Sequence, residues 1–288
     1  MKFKWFYFLI SALVIIPGMV SLFMFGLKPG IDFTGGSLLE YKFSSPVNIE
    51  DLQKSLTEKD FQVYSIQESG NNTYLLRMPS LEKGKAAEVK NILSAKFNQV
   101  PEEIRFEVVG PTLGKELLTK TIVAIILAAA FILGYVGWRF KNNKFGICAI
   151  LAMFHDSLVM LGSFSLLGYF LGVEVDTLFV TALLTTLSFS VHDTVVVYDR
   201  IRESQKLFPK VDFESLVNKA ITETLSRSLN NSLTIIFMLI ALLLLGGVTV
   251  KWFVAALLIG TVSGTYSSTF TAAPLLVLWE NLAQRKKH

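Results

Sequence analysis

The chain has 288 residues, 52% of them hydrophobic, and a mean hydropathy of +0.51. This composition is far more apolar than that of an ordinary soluble domain and indicates a membrane protein. The net charge is only +4, and basic loops on one side of a membrane explain it without a nucleic-acid partner. The single cysteine, Cys148, cannot form an intrachain disulfide and indicates neither a metal site nor a redox role.

Six segments are apolar enough to cross a bilayer, which takes about 20 residues of helix. They cover residues 5–25, 119–138, 145–171, 177–198, 229–245 and 252–279. The fifth segment is short unless it begins upstream, near Arg227. The sixth is long and rich in small residues, so we expect it to tilt or bend. The sequence therefore predicts a polytopic α-helical membrane protein with six transmembrane helices.

These segments divide the chain into a first helix (1–26), a polar insert (27–118) and a five-helix region (119–288) with a charged loop at 199–228. The first helix has basic residues before its apolar stretch, as a signal peptide does. Because no small-x-small cleavage site precedes Lys28, we interpret it as a retained signal anchor.

The distribution of basic residues predicts the orientation. If both termini are cytoplasmic, the inner pieces of the chain hold 14 of its 27 Lys and Arg residues, and the two short outer loops hold only Lys251. The positive-inside rule favours this orientation, and it makes the insert extracytoplasmic.

The insert has the pattern of a small α+β domain. Alternating side chains predict strands at residues 39–43, 61–67, 74–78 and 104–108. Helical spacing predicts two helices, one from residue 49 and one along the stripe Ala86, Val89, Leu93 and Phe97. The resulting order βαββαβ is that of a ferredoxin-like fold.

The string GIDFTGG, residues 30–36, joins the first membrane helix to the first strand. Glycine permits positive φ and close backbone approach, so we interpret Gly30, Asp32, Gly35 and Gly36 as turn chemistry. We expect no helix after the string that would create a phosphate site. The insert has no His and no Cys, and we expect no catalytic site, metal site or cofactor in it.

Four ionisable residues lie inside the apolar segments: His155 and Asp156 in the third, and His192 and Asp193 in the fourth. An Asp near the centre of a spanning helix costs roughly 2.5–3.5 kcal/mol on insertion scales. Such a residue usually faces a partner, a cavity or a proton path. Asp193 is therefore the first place to search for function.

Two polar stripes lie on the fourth and fifth helices. The first comprises Thr186, Ser190 and Asp193, and the second comprises Arg227, Asn230, Asn231 and Thr234. Because the two helices run in opposite directions, Asp193 and Arg227 reach compatible depths. We expect them to pair directly or through water.

Two interpretations of these charges are open. A structural ion pair would lock the bundle, although it adds little stability over apolar packing. A proton carrier needs a carboxyl group whose protonation responds to small movements, and burial and a nearby Arg act on an Asp in opposite directions. His155 and His192 are candidate relay members or packing residues. In the sixth helix, the small residues of the run 260–264 and the serines and threonines that follow, Ser267 and Ser268 among them, favour helix packing over a substrate site.

Four strings resemble the SecF family, protein-export translocase subunits of the SecD/SecF group in the resistance–nodulation–division superfamily. They are GIDFTGG after the first helix, FHDSLVMLG in the third, HDTVVVYDRIRES ending the fourth and ETLSRSLNNSLT entering the fifth. The resemblance extends over nearly the whole chain, and the last two strings are long enough to be specific.

The resemblance implies a multi-pass protein of the bacterial inner membrane that works with SecD, which supplies a matching six-helix half. It also implies the SecYEG channel, YajC-like and YidC-like accessory proteins, and unfolded exported polypeptides as partners. In this family the proton motive force completes export after the ATPase SecA has driven most of the chain across.

By similarity, Asp193 and Arg227 are the proton-coupling residues. The other polar residues of the bundle are predicted to relay protons or to pack helices: Asp156, His155, His192, Ser190 and Asn230. The family commonly has Asn where this chain has His192, which puts the pH range of coupling in doubt. Some relatives use sodium instead of protons.

Two other functions are open. One is a half-transporter of the same superfamily for small molecules or lipids, and the short chain and small insert count against it. The other is a structural scaffold of the translocon, which active charge-neutral mutants would favour. The sequence shows no nucleophile–base set and no cluster of metal ligands, so we do not expect an enzyme.

Overall fold

The computed structural model describes residues 3–70, 72–140 and 142–285. Its helices are α1 (Lys4–Phe25), α2 (Ile31–Thr34), α3 (Ile49–Thr57), α4 (Lys83–Phe97), α5 (Pro111–Arg139), α6 (Asn143–Leu171), α7 (Thr177–Leu207), α8 (Phe213–Leu245), α9 (Val248–Ser267) and α10 (Ala273–Arg285). Its strands are β1 (Gly36–Lys42), β2 (Ser65–Gly70), β3 (Thr73–Met78) and β4 (Glu102–Val109). One π-helical turn, Ser268–Ala272, joins α9 to α10.

The described residues fall into two compact units. The helical unit contains the residues up to 28, residues 124–173 and the residues from 178 onward. The α+β unit contains residues 29–123 and the short connection 174–177 that precedes α7.

Among the described residues, six helical stretches are long and apolar enough to cross a membrane: α1, α5, α6, α7, α8 and Thr249–Ala283. This confirms the predicted fold class. The fifth stretch begins well upstream of Arg227, at Phe213, so α8 has 33 residues. The sixth is interrupted by the π-helical turn, and such turns are frequent at functional sites.

The α+β unit contains an antiparallel sheet in the order β2-β3-β1-β4. With α3 between the first two strands and α4 between the last two, it has the predicted βαββαβ order. The core of the unit lies between this sheet and the two helices. Its fully buried side chains include Leu39, Tyr41, Leu52, Leu56, Leu76, Met78, Val89 and Leu93.

The predicted start of the second strand is wrong. The strand begins at Ser65 rather than at residue 61. The chain directly before this strand instead forms the end of α3. There, Asp60 has a φ of +62° and the Phe61 amide donates to the Leu56 carbonyl at 3.1 Å. A helix end of this kind takes up residues that the alternating pattern assigns to a strand.

The GIDFTGG string is more than a turn, because it contains the one-turn helix α2. After that turn, Gly35 and Gly36 have φ values of +75° and +133°. A Cβ on Gly35 would lie 2.8 Å from Cα of Pro111, and one on Gly36 would lie 2.8 Å from the Met78 carbonyl oxygen. Both glycines therefore have the positive φ and the close approach that the sequence predicts.

Glycines also allow close helix contacts within the helical unit. A Cβ on Gly162 of α6 would lie 2.6 Å from Cα of Gly18 on α1. A Cβ on Gly260 of α9 would lie 2.4 Å from Cγ2 of Thr186 on α7. These contacts confirm the packing interpretation of Gly260, and they bring the serines of α9 next to α6 and α7.

Candidate functional site

Asp156 on α6 is buried among four polar side chains. Serine hydroxyls donate to it from Ser190 on α7 at 2.5 Å, and from Ser263 and Ser267 on α9 at 2.6 and 2.5 Å. Nδ1 of His155 lies 3.0 Å from Oδ1 of the same carboxyl group. The four contacts divide equally between the two oxygens, and an ionised carboxylate has about four acceptor positions. An ionised Asp156 therefore has every acceptor position occupied.

His155 continues the polar cluster from α6 towards α1. Its Nε2 lies 3.0 Å from Oγ of Ser11, and this hydroxyl lies 3.4 Å from Oγ1 of Thr271 in the π-helical turn. The ring of Tyr266 stacks on the imidazole at a centroid distance of 6.3 Å. The imidazole is thus held at both nitrogens and on one face.

Asp193 on α7 is the second buried carboxyl group, with 6% of its surface exposed. The hydroxyl of Ser228 on α8 lies 2.8 Å from each of its oxygens. The hydroxyl of Ser268, the first residue of the π-helical turn, donates to Oδ2. Asp193 therefore has two hydroxyl donors where Asp156 has three hydroxyls and an imidazole.

Consecutive serines at the end of α9 join the two carboxyl groups. Neighbouring residues on a helix point about 100° apart, so Ser267 faces Asp156 while Ser268 faces Asp193. The π-helical turn that begins at Ser268 ends at Ala272, whose carbonyl accepts a hydrogen bond from Tyr198 of α7 at 2.9 Å. The turn is thereby tied to the helix that carries Asp193.

The direct pairing of Asp193 with Arg227, one of the two predicted forms, is absent: the described residues contain no ion pair between them. The physical reason is the rotation of α8. Arg227 and Ser228 are neighbours on that helix, so only one of them can face Asp193. The structure places Ser228 there and leaves Arg227 exposed.

Arg227 instead lines a cavity of about 500 Å³ between α7 and α8, near the end where the two helices are connected. The cavity is rich in charge, and Nε of Arg200 on α7 lies 2.6 Å from Glu223 on α8. Its lining consists of Val196, Asp199, Arg200, Glu203, Glu223, Thr224 and Arg227.

The other predicted site residues separate into buried and exposed groups. Ser190 binds Asp156 and belongs to the buried network. His192 and Asn230 are exposed on α7 and α8, and neither faces a buried carboxyl group. Asn231 and Thr234 are exposed with Asn230, so the stripe on α8 is a surface feature.

Sequence reasoning missed the hydroxyl donors that hold the two carboxyl groups. Sequence patterns do not single out Ser11 and Ser228, and they assign Ser263, Ser267 and Ser268 only to helix packing. A usable signal is nevertheless present: Ser263 and Ser267 lie four residues apart, on one face of an apolar helix that also contains Thr265 and Thr269. Hydroxyls at that density serve as partners for buried acids.

The GIDFTGG string binds the connection before α7 within the α+β unit. Asp32 accepts hydrogen bonds from the backbone amide of Thr177 at 3.0 Å and from its hydroxyl at 2.6 Å. The amide of Gly30 donates to the Val175 carbonyl at 2.8 Å. Asp32 therefore accepts from both the backbone and the side chain of Thr177.

An ion pair holds the same connection from the sheet. Arg77 on β3 pairs with Glu174, the first residue of the connection. Burial lowers the pKa of Arg77 to about 10, and the charge of Asp176 acts in the opposite direction. This partly buried ion pair therefore links β3 to the start of the connection.

Known families and relatives are similar to this chain in sequence. The family described as protein export membrane protein SecD/SecF, C-terminal, matches residues 88–282, and the SecD/SecF GG motif matches residues 20–47. The protein translocase subunit SecF of Thermobaculum terrenum is 45% identical over 97% of this chain and 93% of its own length. The SecF of Anaerolinea thermophila is 43% identical over 96% of this chain and 92% of its own length.

A solved structure shows the same fold. The crystal structure of SecDF, a translocon-associated membrane protein from Thermus thermophilus, matches with a TM-score of 0.86 and 33% identity. The match covers 98% of this chain and 39% of the SecDF chain, so this chain corresponds to less than half of that protein. A second SecDF structure, in the super-membrane-facing form, matches with a TM-score of 0.68. On the family matches and the full-length identity, the chain belongs to the SecD/SecF family of protein export membrane proteins.

Proposed function

We propose that this chain is a subunit of the Sec protein-export machinery that, with SecD, uses the proton motive force to drive or complete the translocation of proteins through SecYEG. The main support for this proposal is the environment of Asp193. Asp193 has a carboxyl group buried in a spanning helix, and among the described residues it forms hydrogen bonds to hydroxyls but no ion pair. A buried acid without a fixed cation can give up its charge by taking a proton.

The surroundings of Asp193 suit both protonation states. When the carboxyl group is ionised, Ser268 donates to it. When it is protonated, it donates to Ser268, and that hydroxyl turns to the Thr265 carbonyl at 3.1 Å. A hydroxyl can donate and accept, so neither state leaves a buried polar group unpaired.

A change of charge at Asp193 acts on helices α8 and α9. Ser228 is on α8 and Ser268 begins the π-helical turn that follows α9, so protonation weakens the attraction of both elements to α7. Arg227 follows any movement of α8 because it adjoins Ser228, and it lies in the charged cavity between α7 and α8. We infer that the charge of Arg227 influences the transfer of protons between Asp193 and this cavity.

The membrane potential supplies enough free energy for such a movement. One elementary charge that crosses the membrane releases about 2.3 kcal/mol per 100 mV. A single proton therefore biases a two-state helix movement by several kcal/mol, which is enough to favour one direction of travel for an emerging polypeptide.

The exposed polar face of α7 supports SecD as the partner. Thr181, Thr185, Ser188 and His192 follow helical spacing and are all exposed. Polar groups are costly to leave in lipid, so a protein surface covers them. SecDF of Thermus thermophilus contains a segment like this chain in a longer chain, which supports a SecD-like half as that surface.

The orientation proposed from the basic residues puts both termini in the cytoplasm of a bacterium and the α+β unit outside the inner membrane. The charged cavity, at the α7–α8 connection, then lies on the cytoplasmic side. SecYEG, with YajC-like and YidC-like proteins, is proposed as the surrounding assembly because the relatives are named translocase subunits.

The proposal is tested by export of a slow-folding secreted protein into inverted membrane vesicles that contain the complete translocase. The rate is compared with and without an imposed proton gradient, in the wild type and in Asp193→Asn. We expect the gradient to accelerate export only in the wild type. Asp51→Asn is the matched control, since it makes the same change at an exposed residue of α3 and should leave the response intact.

Two outcomes would contradict the proposal. If Asp193→Asn responds to the gradient as the wild type does, the carboxyl group is a structural contact and the chain is a scaffold. If a sodium gradient replaces the proton gradient as the effective driving force, the coupling ion is sodium rather than the proton.

A further inference from the structure

The helical unit contains a second buried cluster of titratable groups, and Asp193 is not part of it. We propose that His155 is a second proton-binding site, oriented by Asp156, with its exchangeable proton on Nε2 facing Ser11 of α1. The inference deepens the proposed function, and the role of this site in transport rests on that function.

The arrangement around Asp156 places the proton on the imidazole rather than on the carboxyl group. Ser190, Ser263 and Ser267 donate to Asp156, and donors to a carboxylate favour its ionised form. Ser267 has one alternative acceptor, the Gly264 carbonyl at 3.3 Å. Even with Ser267 turned away, two hydroxyls and the imidazole remain on the carboxylate.

The same arrangement selects the tautomer of His155. An ionised carboxylate only accepts hydrogen bonds, so Nδ1, which lies 3.0 Å from Asp156, carries a hydrogen in both protonation states. The nitrogen that gains and loses a proton is then Nε2. This is the arrangement in which a carboxylate orients a histidine for proton exchange.

Ser11 accommodates both states of Nε2, which lies 3.0 Å from its hydroxyl. Opposite a neutral imidazole, Ser11 donates to Nε2. Opposite a protonated one, it accepts from Nε2 and donates to Thr271, whose Oγ1 is 3.4 Å away. The site therefore takes a proton without leaving a polar group unpaired.

The titratable groups around His155 lie on α6, α9 and α1. Asp156 is the charged neighbour on α6, and Tyr266 is the titratable neighbour on α9, stacked on the ring at 23°. On α1, Tyr7 accepts the Tyr266 hydroxyl through its backbone carbonyl at 2.7 Å. Among the described residues, no Lys or Arg pairs with Asp156. A protonated His155 is then the cation that neutralises this buried carboxylate.

Nitrogen-15 NMR of the histidines in the full-length chain, reconstituted in lipid, tests the proposal. The chain has only three histidines, His155, His192 and His288, so His192→Gln and His288→Gln assign the signals. As the pH falls from about 8 to about 5, the range in which histidine titrates, we expect His155 to keep its Nδ1 hydrogen and gain one on Nε2. Asp156→Asn should move that protonation to lower pH by about one unit or more, because it removes the neighbouring negative charge.

The wild type alone can overturn the proposal, so the result does not depend on how well Asp156→Asn folds. A neutral His155 with its hydrogen on Nε2 at every pH contradicts it, as does a His155 that never gains a second proton. In the folded Asp156→Asn variant, unchanged protonation also contradicts it. Ser11→Ala is the conservative control and should retain the Nδ1 hydrogen.

Asp193→Asn separates this inference from the proposed function. His155 should gain its proton in that variant as in the wild type. If export loses its gradient response in Asp193→Asn while His155 of the wild type never takes a proton, only the present inference fails. If His155 takes its proton while Asp193→Asn exports normally, only the proposed function fails.

Discussion

The two buried carboxyl groups, Asp156 and Asp193, are held in different ways. Asp156 receives three hydroxyls and the imidazole of its neighbour His155. Asp193 receives two hydroxyls, and its neighbour His192 is exposed. Because donors favour the ionised form of a carboxyl group, this difference supports the proposal that Asp193, and not Asp156, is the acid that changes its charge.

This difference shows that a His-Asp pair in a membrane helix does not always have the same structural surroundings. The chain contains that pair twice, and only in α6 do the two side chains contact each other. In α7 they point to different sides of the helix. The donors contributed by other helices, rather than the local sequence, distinguish the two acids.

The largest expected effect is on the free energy of unfolding, which should differ between variants of the two acids. Asp156→Ala leaves three hydroxyls and an imidazole without their partner, and removing one member of such a buried set costs about 3–5 kcal/mol. Asp193→Ala leaves two hydroxyls, one of which can turn to a carbonyl, so we expect about 1–3 kcal/mol. Unfolding of both variants in lipid–detergent micelles measures the difference, and equal losses would contradict it.

A smaller effect separates the two serines that follow each other in sequence. Ser268→Ala removes one of two donors from Asp193, and a hydrogen bond to a charged group contributes about 1.5–3 kcal/mol. The pH profile of gradient-driven export should therefore move to higher pH, because the ionised form of Asp193 loses a donor. Ser267→Ala removes one of four donors from Asp156 and should leave the profile in place. A shift with Ser267→Ala instead would reverse the roles of the two acids.

The smallest effect concerns the approach of α9 to α7. Gly260→Ala places a methyl group against Thr186, and overpacking of this kind costs about 1–3 kcal/mol of stability. Gly264→Ala meets Cβ of Ser190 at 3.1 Å and should cost less. In a double-mutant cycle, Thr186→Ser should recover part of the loss in Gly260→Ala because it removes the methyl group in contact. Additive losses would show that this contact does not set the distance between the helices.

Much of the architecture could be predicted from the sequence. Hydropathy locates all six spanning segments, and alternation with helical spacing predicts the βαββαβ order of the α+β unit. The cost of an acid in an apolar helix also singles out Asp193 by sequence alone. These predictions depend on local patterns, which the sequence contains directly.

The partners of the two acids could not be predicted in this way. Whether Arg227 or Ser228 faces Asp193 depends on the rotation of α8 about its axis, and a difference of one residue changes the answer. Ser268 lies 75 residues from Asp193 and begins a π-helical turn. Such a turn changes the face on which later residues lie, so a regular helical pattern does not place them.

The measurement that tests the account most directly is infrared difference spectroscopy of the chain in lipid between high and low pH, in the C=O stretching region of protonated carboxyl groups. The account predicts a band that appears at low pH in the wild type and in Asp156→Asn but is lost in Asp193→Asn. A band that is lost in Asp156→Asn and kept in Asp193→Asn would contradict it, because the proton would then reside on the acid assigned here a permanent charge.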